Sequence, residues 1–170
     1  MEERKIGLAP RVMAQGAMGP KEYAVLVTDR RSIFVLEFKS KAGIGGALGG
    51  MVGAAIASAA DSRKSFDYEN ENPEMLASEK GSIAIPHDSL ERVRFKSGVL
   101  GNWMQIEYRN EEGKTKKLGV SLVPPNDYIK ERKDIGVKGK VAVHEYVNEV
   151  QSLFRRALPL TAAAKVEWIE

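Results

Sequence analysis

Apolar side chains recur at every second position in several short runs of this chain. Residues 22–28 and 32–38 are rich in Val, Ile, Phe and Tyr, and Asp29, Arg30 and Arg31 separate them. Tyr23, Val25 and Val27 fall on one face of the first run, and Phe34, Leu36 and Phe38 share a face of the second, which predicts a hairpin with a short loop. The same alternation predicts a second hairpin, from residues 103–109 through Asn110–Gly113 to residues 115–122. There Met104, Ile106 and Tyr108 face one way, as do Leu118, Val120 and Leu122 on the return, and Gly113 supplies the positive φ such a loop commonly requires. Two further strands are expected at 82–85 and 90–96, broken by Pro86, with weaker signals at 6–15 and 63–68.

The period changes near the C-terminus. Val143, Val147, Val150, Phe154 and Ala157 recur at helical spacing, Tyr146 and Leu153 widen the stripe, and Pro159 follows, so a helix is predicted over 141–158. Residues 124–140 read as a basic, turn-rich loop, and 73–79 as a short helical turn. Short strands followed by one amphipathic helix imply a mainly β, α+β domain: a small curved sheet or barrel capped by that helix.

The residues of this pattern carry a family resemblance. Tyr23–Leu36, YAVLVTDRRSIFVL, resembles the strand–turn–strand opening of bacterial and archaeal pleckstrin-homology-like (PH-like) domains. Residues 83–93, IAIPHDSLERV, resemble their I-P-Y-x-x-I-x-x-V passage, and the 104–120 hairpin and closing helix follow in the same order. The resemblance covers most of residues 20–158 and implies a curved antiparallel sheet or barrel of about seven strands with a C-terminal helix. It also implies that basic residues in loops at open strand ends can hold anionic headgroups, but it carries over no fixed ligand-binding residue.

Residues 42–80 depart from that compact pattern. Ala42–Ala60 reads AGIGGALGGMVGAAIASAA, nineteen positions without a charge. Gly45, Gly49, Gly53 and Ala57 are spaced by four, as are Gly46 and Gly50, with Leu48, Val52 and Ile56 beside them. In a helix the small residues would line one side and admit a second backbone, the pattern of a glycine zipper. Its rise, about 28 Å, approaches a ~30 Å hydrocarbon core, but glycine and alanine bury little apolar area, so the drive into lipid is weak. Three readings follow: a helix packed on its symmetry mates or on the domain, a membrane-dipping helix, and a low-complexity loop. Self-association is the favoured one.

Charge refines the picture without naming a ligand. The net charge of +3 is too small to point to nucleic acid without a concentrated patch. Lys39, Lys41, Arg63 and Lys64 flank the uncharged run, and Lys114, Lys116 and Lys117 crowd one hairpin, so these seven are the candidates for anionic lipid or phosphate contact. Lys130, Arg132 and Lys133 extend the basic set, while Glu111, Glu112, Asp127, Glu131 and Asp134 dilute it.

Catalytic and cofactor chemistry finds little purchase. With Gly43 and Gly45 fixed, the dinucleotide fingerprint needs glycine where Leu48 stands, and no βαβ unit follows, so a nucleotide-binding enzyme is only a remote alternative. His87-Asp88-Ser89 holds three triad residue types side by side, where they cannot adopt triad geometry; a turn after Pro86, held by Asp88 or Ser89, is expected instead. With no cysteine and only His87 and His144, a zinc site is not expected. Asp67, Glu69, Glu71 and Glu74 lack the calcium-loop spacing and read as a solvated acidic loop. Trp103 is either a contact aromatic or a core residue at a barrel end.

No apolar stretch of secretory length follows the charged start, so a cytoplasmic location is expected, with peripheral membrane contact left open. The sequence thus predicts one PH-like domain over 1–158, interrupted by the 42–60 insertion and an acidic connector at 61–81, with a tail at 159–170 whose residues 161–170 could form a short added strand carrying Val166, Trp168 and Ile169. It is read as a non-enzymatic, self-associating interaction or scaffold module without cofactor or metal, with a homo-oligomer or a protein partner expected. Peripheral association with anionic membrane is the alternative.

Overall fold

A computed structural model describes residues 3–16, 19–39, 63–98, 101–163 and 165–167. The strands are β1 (Lys5–Gly16), β2 (Gly19–Thr28), β3 (Arg31–Lys39), β4 (Ile83–Pro86), β5 (Leu90–Gly98), β6 (Gly101–Arg109), β7 (Thr115–Leu122) and β8 (Val166–Glu167). Helices are α1 (Pro73–Ser78), α2 (Asn126–Asp134), α3 (Gly139–Ala157) and the single turn α4 (Leu160–Ala163). The chain is therefore mixed α and β with strands predominating. The insertion 42–60, with every small and bulky position singled out in it, lies outside the described residues, as do Lys41 and Trp168.

All eight strands form one open sheet in the order β4-β3-β2-β1-β7-β6-β5-β8, one strand more than the sequence led us to expect. Neighbours are antiparallel except β5 and β8, which run parallel through Val93–Val166 and Arg94–Glu167. The first four strands and β5–β7 are two meanders joined where β1 meets β7 at Val12–Leu122 and Met13–Ser121. A register shift between Ala9 and Val12 breaks β1's pairing with β2 at Pro10, which has no N–H to donate.

Alternation places the core as the sequence predicts. Tyr23, Val25, Val27 and Phe34 meet Met104, Ile106, Val120 and Leu122 on one face, and α3 lies across it. This helix buries Tyr146, Val147, Val150, Leu153 and Phe154, with the Phe154 ring edge-on to Phe95 at 5.8 Å. Burial contributes about 2 kcal/mol for each such aliphatic or aromatic side chain, which outweighs helix propensity. The buried stripe is the predicted one except at its start, where Ala142 is buried and Val143 only half-buried. At Gly7 of β1 a Cβ would run into Leu153 Cδ2, so a glycine there lets α3 approach.

The opposite face of the first meander is also covered, which the sequence did not show. Leu26, Ile33 and Val35 meet fully buried Leu76 of α1, with Phe66, Tyr68 and Ala77 packed around them. Residues 63–79 therefore pack on the sheet through Phe66, Tyr68, Leu76 and Ala77, with the expected helical turn as α1, while Asp67, Glu69 and Glu74 stay exposed; 63–68 joins no strand. The acidic residues serve this layer locally. Asn70 donates to Asp67, Glu71 accepts from Asp67 N at 2.9 Å, and Glu74 pairs with Arg31 at 2.5 Å.

Residues 126–134, read as loop, form α2 beneath α3. The helix has no fully buried residue, hence no apolar period to detect. It is held instead by the Tyr128 ring against Tyr146 at 5.3 Å and by Arg132 and Tyr128, both bonded to Glu149.

Candidate functional site at the root of the insertion

Where β3 ends and residue 63 resumes, four charged side chains and a phenol gather on the outer face of the sheet. The same pleat that sends Tyr23 and Val25 inward sends Glu22 outward beside Ala24 and Leu26. Because the 63–79 layer covers that face, Glu22 is fully buried. A buried carboxylate is costly unless paired and hydrogen-bonded. Both oxygens of Glu22 are met by the Arg63 guanidinium, with Nη2 to Oε2 at 3.1 Å, and Arg11 Nε of β1 stands 3.6 Å from Oε2.

Glu37 sits beside this pair on β3. Tyr68 donates its hydroxyl to Glu37 Oε1 at 2.7 Å, and Arg63 Nη1 lies 4.0 Å from Oε2. Burial pushes the Glu37 carboxyl above its usual range; the Tyr68 hydrogen bond and Arg63 pull it down, and Glu22 adds to the rise. Burial and the Glu37 bond raise the Tyr68 hydroxyl in turn. Below the side chains, Lys64 N donates to Glu37 O at 2.9 Å. The described residues that flank 40–62 are thus fastened to each other and to the sheet at one place.

The basic residues singled out from sequence do not form one patch in this arrangement. Arg63 is committed to Glu22, and Lys64 bonds Glu79 at 3.0 Å. Lys39 is exposed at the end of β3, directly opposite Lys21. On the β6–β7 hairpin, Lys114 pairs with Glu112 at 2.9 Å and Lys117 with Glu107 at 3.1 Å, while Lys116 is exposed opposite Tyr108. Most of these cations face a carboxylate of the chain itself.

Other sequence candidates are placed as follows. Ser89 donates to Pro86 O at 2.7 Å in a single helical turn, as a turn reading requires, and Asp88 is exposed. His87 turns inward, with Nε2 3.1 Å from Ser32 Oγ. Trp103 is half-buried on the face away from Met104, with the Lys96 ammonium 5.0 Å from its ring centre. Among the described residues no cluster of His, Asp or Glu is arranged to hold a metal ion, and no helix is long and apolar enough to cross a membrane.

One cleft went unforeseen. Leu8, Pro10, Tyr128, Tyr146, Leu153 and Arg156 line a cleft of about 480 Å³ between β1 and α3. Tyr146 donates to Arg11 O at 3.1 Å there, and burial pushes its hydroxyl up to about 12. The interruption of β1 at Pro10 was the available signal.

No family model matches the chain, and no curated protein matches its sequence.

Proposed function

We propose that this chain is a non-enzymatic interaction module of PH-like architecture that self-associates through residues 42–60. The architectural part of the reading draws on the strand order, in which two antiparallel meanders of four and three strands meet at β1 and β7 and a long helix follows. The carrying observation for the function is the charged root: Arg63 seated on buried Glu22, and Lys64 N bonded to Glu37 O, hold the residues that flank the insertion on the sheet. A segment rooted this firmly transmits its contacts to the whole domain, as an assembly element must. Small residues spaced by four within it suit close backbone packing.

Peripheral binding to anionic membrane is the second reading. It draws less support, because Arg63, Lys64, Lys114 and Lys117 are each matched to a carboxylate of the chain.

Replacing residues 42–60 by a short Gly-Ser linker and measuring mass by light scattering tests the proposal. A multimer that becomes a monomer on replacement supports it; the same mass in both samples overturns it. Flotation with liposomes containing anionic lipid tests the second reading, and protein left at the bottom of the gradient removes it.

A further inference from the structure

The outer edge of β5 is covered by the chain's own C-terminal segment. After α3 ends, Pro159 and the single turn α4 bring Lys165–Glu167 alongside β5. Among the described residues the cover is short: Val93 N donates to Lys165 O at 3.0 Å, and Val93 and Arg94 of this nine-residue strand pair with β8.

Each of the three residues nevertheless meets a matched environment. Val166 is buried, in the cluster that holds Val93, Phe95, Phe154, Ala157, Leu158 and Ala162. Glu167 receives both Arg92 and Arg94, the latter at 3.1 Å, and these cations hold its carboxyl below the usual range. Lys165 donates from Nζ to Leu90 O beside an open cleft of about 480 Å³ that Asp88, Glu91 and Arg109 also line. The edge therefore reads a short code: a basic residue, a β-branched apolar residue, an acidic residue.

We propose that the β5 edge and the adjoining end of α3 form a docking groove for an extended segment of another protein carrying that basic–apolar–acidic code, and that Lys165–Glu167 occupy it in cis. Strand addition draws affinity from backbone bonds and selectivity from alternate side chains, and both are laid out here. The resident strand sets a threshold. A tethered segment competes at an effective concentration in the millimolar range, so a partner must offer a longer ladder or the tail must be released. The groove uses no residue of the insertion root, so it stands or falls independently of self-association through 42–60.

The probe is a fluorescein-labelled peptide of residues 161–170, TAAAKVEWIE, titrated by anisotropy into the full-length chain. Val166→Asp in the protein vacates the slot, and Glu167→Lys, at an exposed position, weakens the resident strand without touching the core. Both variants are expected to bind the peptide at least tenfold more tightly than the wild-type chain does. Adding Arg92→Glu and Arg94→Glu to either variant is expected to abolish that gain, as is placing aspartate for valine in the peptide. A folded Glu167→Lys protein that binds the peptide no better than wild type overturns the proposal. So does a wild-type dimer that Glu167→Lys dissociates, since the groove's occupant would then be a second copy.

Discussion

The hydroxyl of Ser32 lies 3.1 Å from Nε2 of His87, with both side chains shut away from solvent between β3 and the turn that follows β4. His87 Nδ1 is buried without a hydrogen-bond partner, which fits a neutral ring. Burial lowers its pKa from the ordinary 6.5 to about 4, against the smaller opposing pull of Glu3, Asp29 and Asp88. This buried Ser–His pair fastens β3 to the segment beyond β4.

That pair makes stability depend on pH. Between pH 4 and 6.5 the unfolded chain binds the proton that folded His87 refuses, so stability rises with pH. The contribution is complete above 6.5 and disappears as pH falls toward 4, with an upper limit of about 3 kcal/mol. Glu37, whose carboxyl is raised, works in the opposite direction. Urea denaturation from pH 4.5 to 7.5 is expected to show a shallower slope for His87→Asn than for wild type. Equal slopes would show that the ring is not neutral in the fold.

The insertion root carries its own energetic signature. Arg63→Ala leaves Glu22 buried with only Arg11 nearby at 3.6 Å, at an expected cost of about 3 kcal/mol in chemical denaturation. Adding Glu22→Gln removes the stranded charge and is expected to restore part of that loss. A double variant no more stable than Arg63→Ala would contradict this account.

Gly81 precedes β4 at φ +91°, and a Cβ there would stand 2.5 Å from Leu36 Cδ2. Gly81→Ala meets both an unfavourable backbone conformation and a packed neighbour, so a loss of about 2 kcal/mol is expected. Gly113 has φ +74° with nothing within 4 Å of where a Cβ would stand. Gly113→Ala is expected to cost only about 1 kcal/mol, and thermal denaturation of the two variants separates these terms.

Removing Phe154 empties the contact between α3 and Phe95. Phe154→Ala is expected to cost about 4 kcal/mol, whereas Tyr128→Ala, which loosens α2, is expected to cost about 1 kcal/mol. A comparable loss at the two positions, read from denaturant midpoints, would mean that α2 belongs to the core.

What could be read in advance tracks burial on one face. The hairpins at 22–38 and 103–122 were legible because Val25, Phe34, Ile106 and Val120 all point into a single core, and alternation survives only when one side is buried. Where both faces are covered the signal fades. A charge at Glu22 carries no sign of burial, although Ala24 and Leu26 on the same side are buried too. At 63–79 the helical turn and the wet acidic side chains were legible but the packing was not, because Asp67, Glu69, Glu71 and Glu74 surround the few side chains that pack, Phe66 and Leu76. Arg63 and Lys64 were noticed as cations, but their partners lie 41 and 15 residues away. Two-residue β8 is too short to show a period, so the added strand carrying Val166 stood only beside a tail as an alternative, and α2 rests on Tyr128 and Arg132 rather than on a stripe.

The backbone bond from Lys64 to Glu37 has one more implication. Because the chain returns to the sheet beside the end of β3, the length and content of the intervening stretch are uncoupled from the register of everything else. Foreign loops of differing size, grafted between Lys39 and Arg63, would inherit the same two fixed posts, making this position a natural port for exchange.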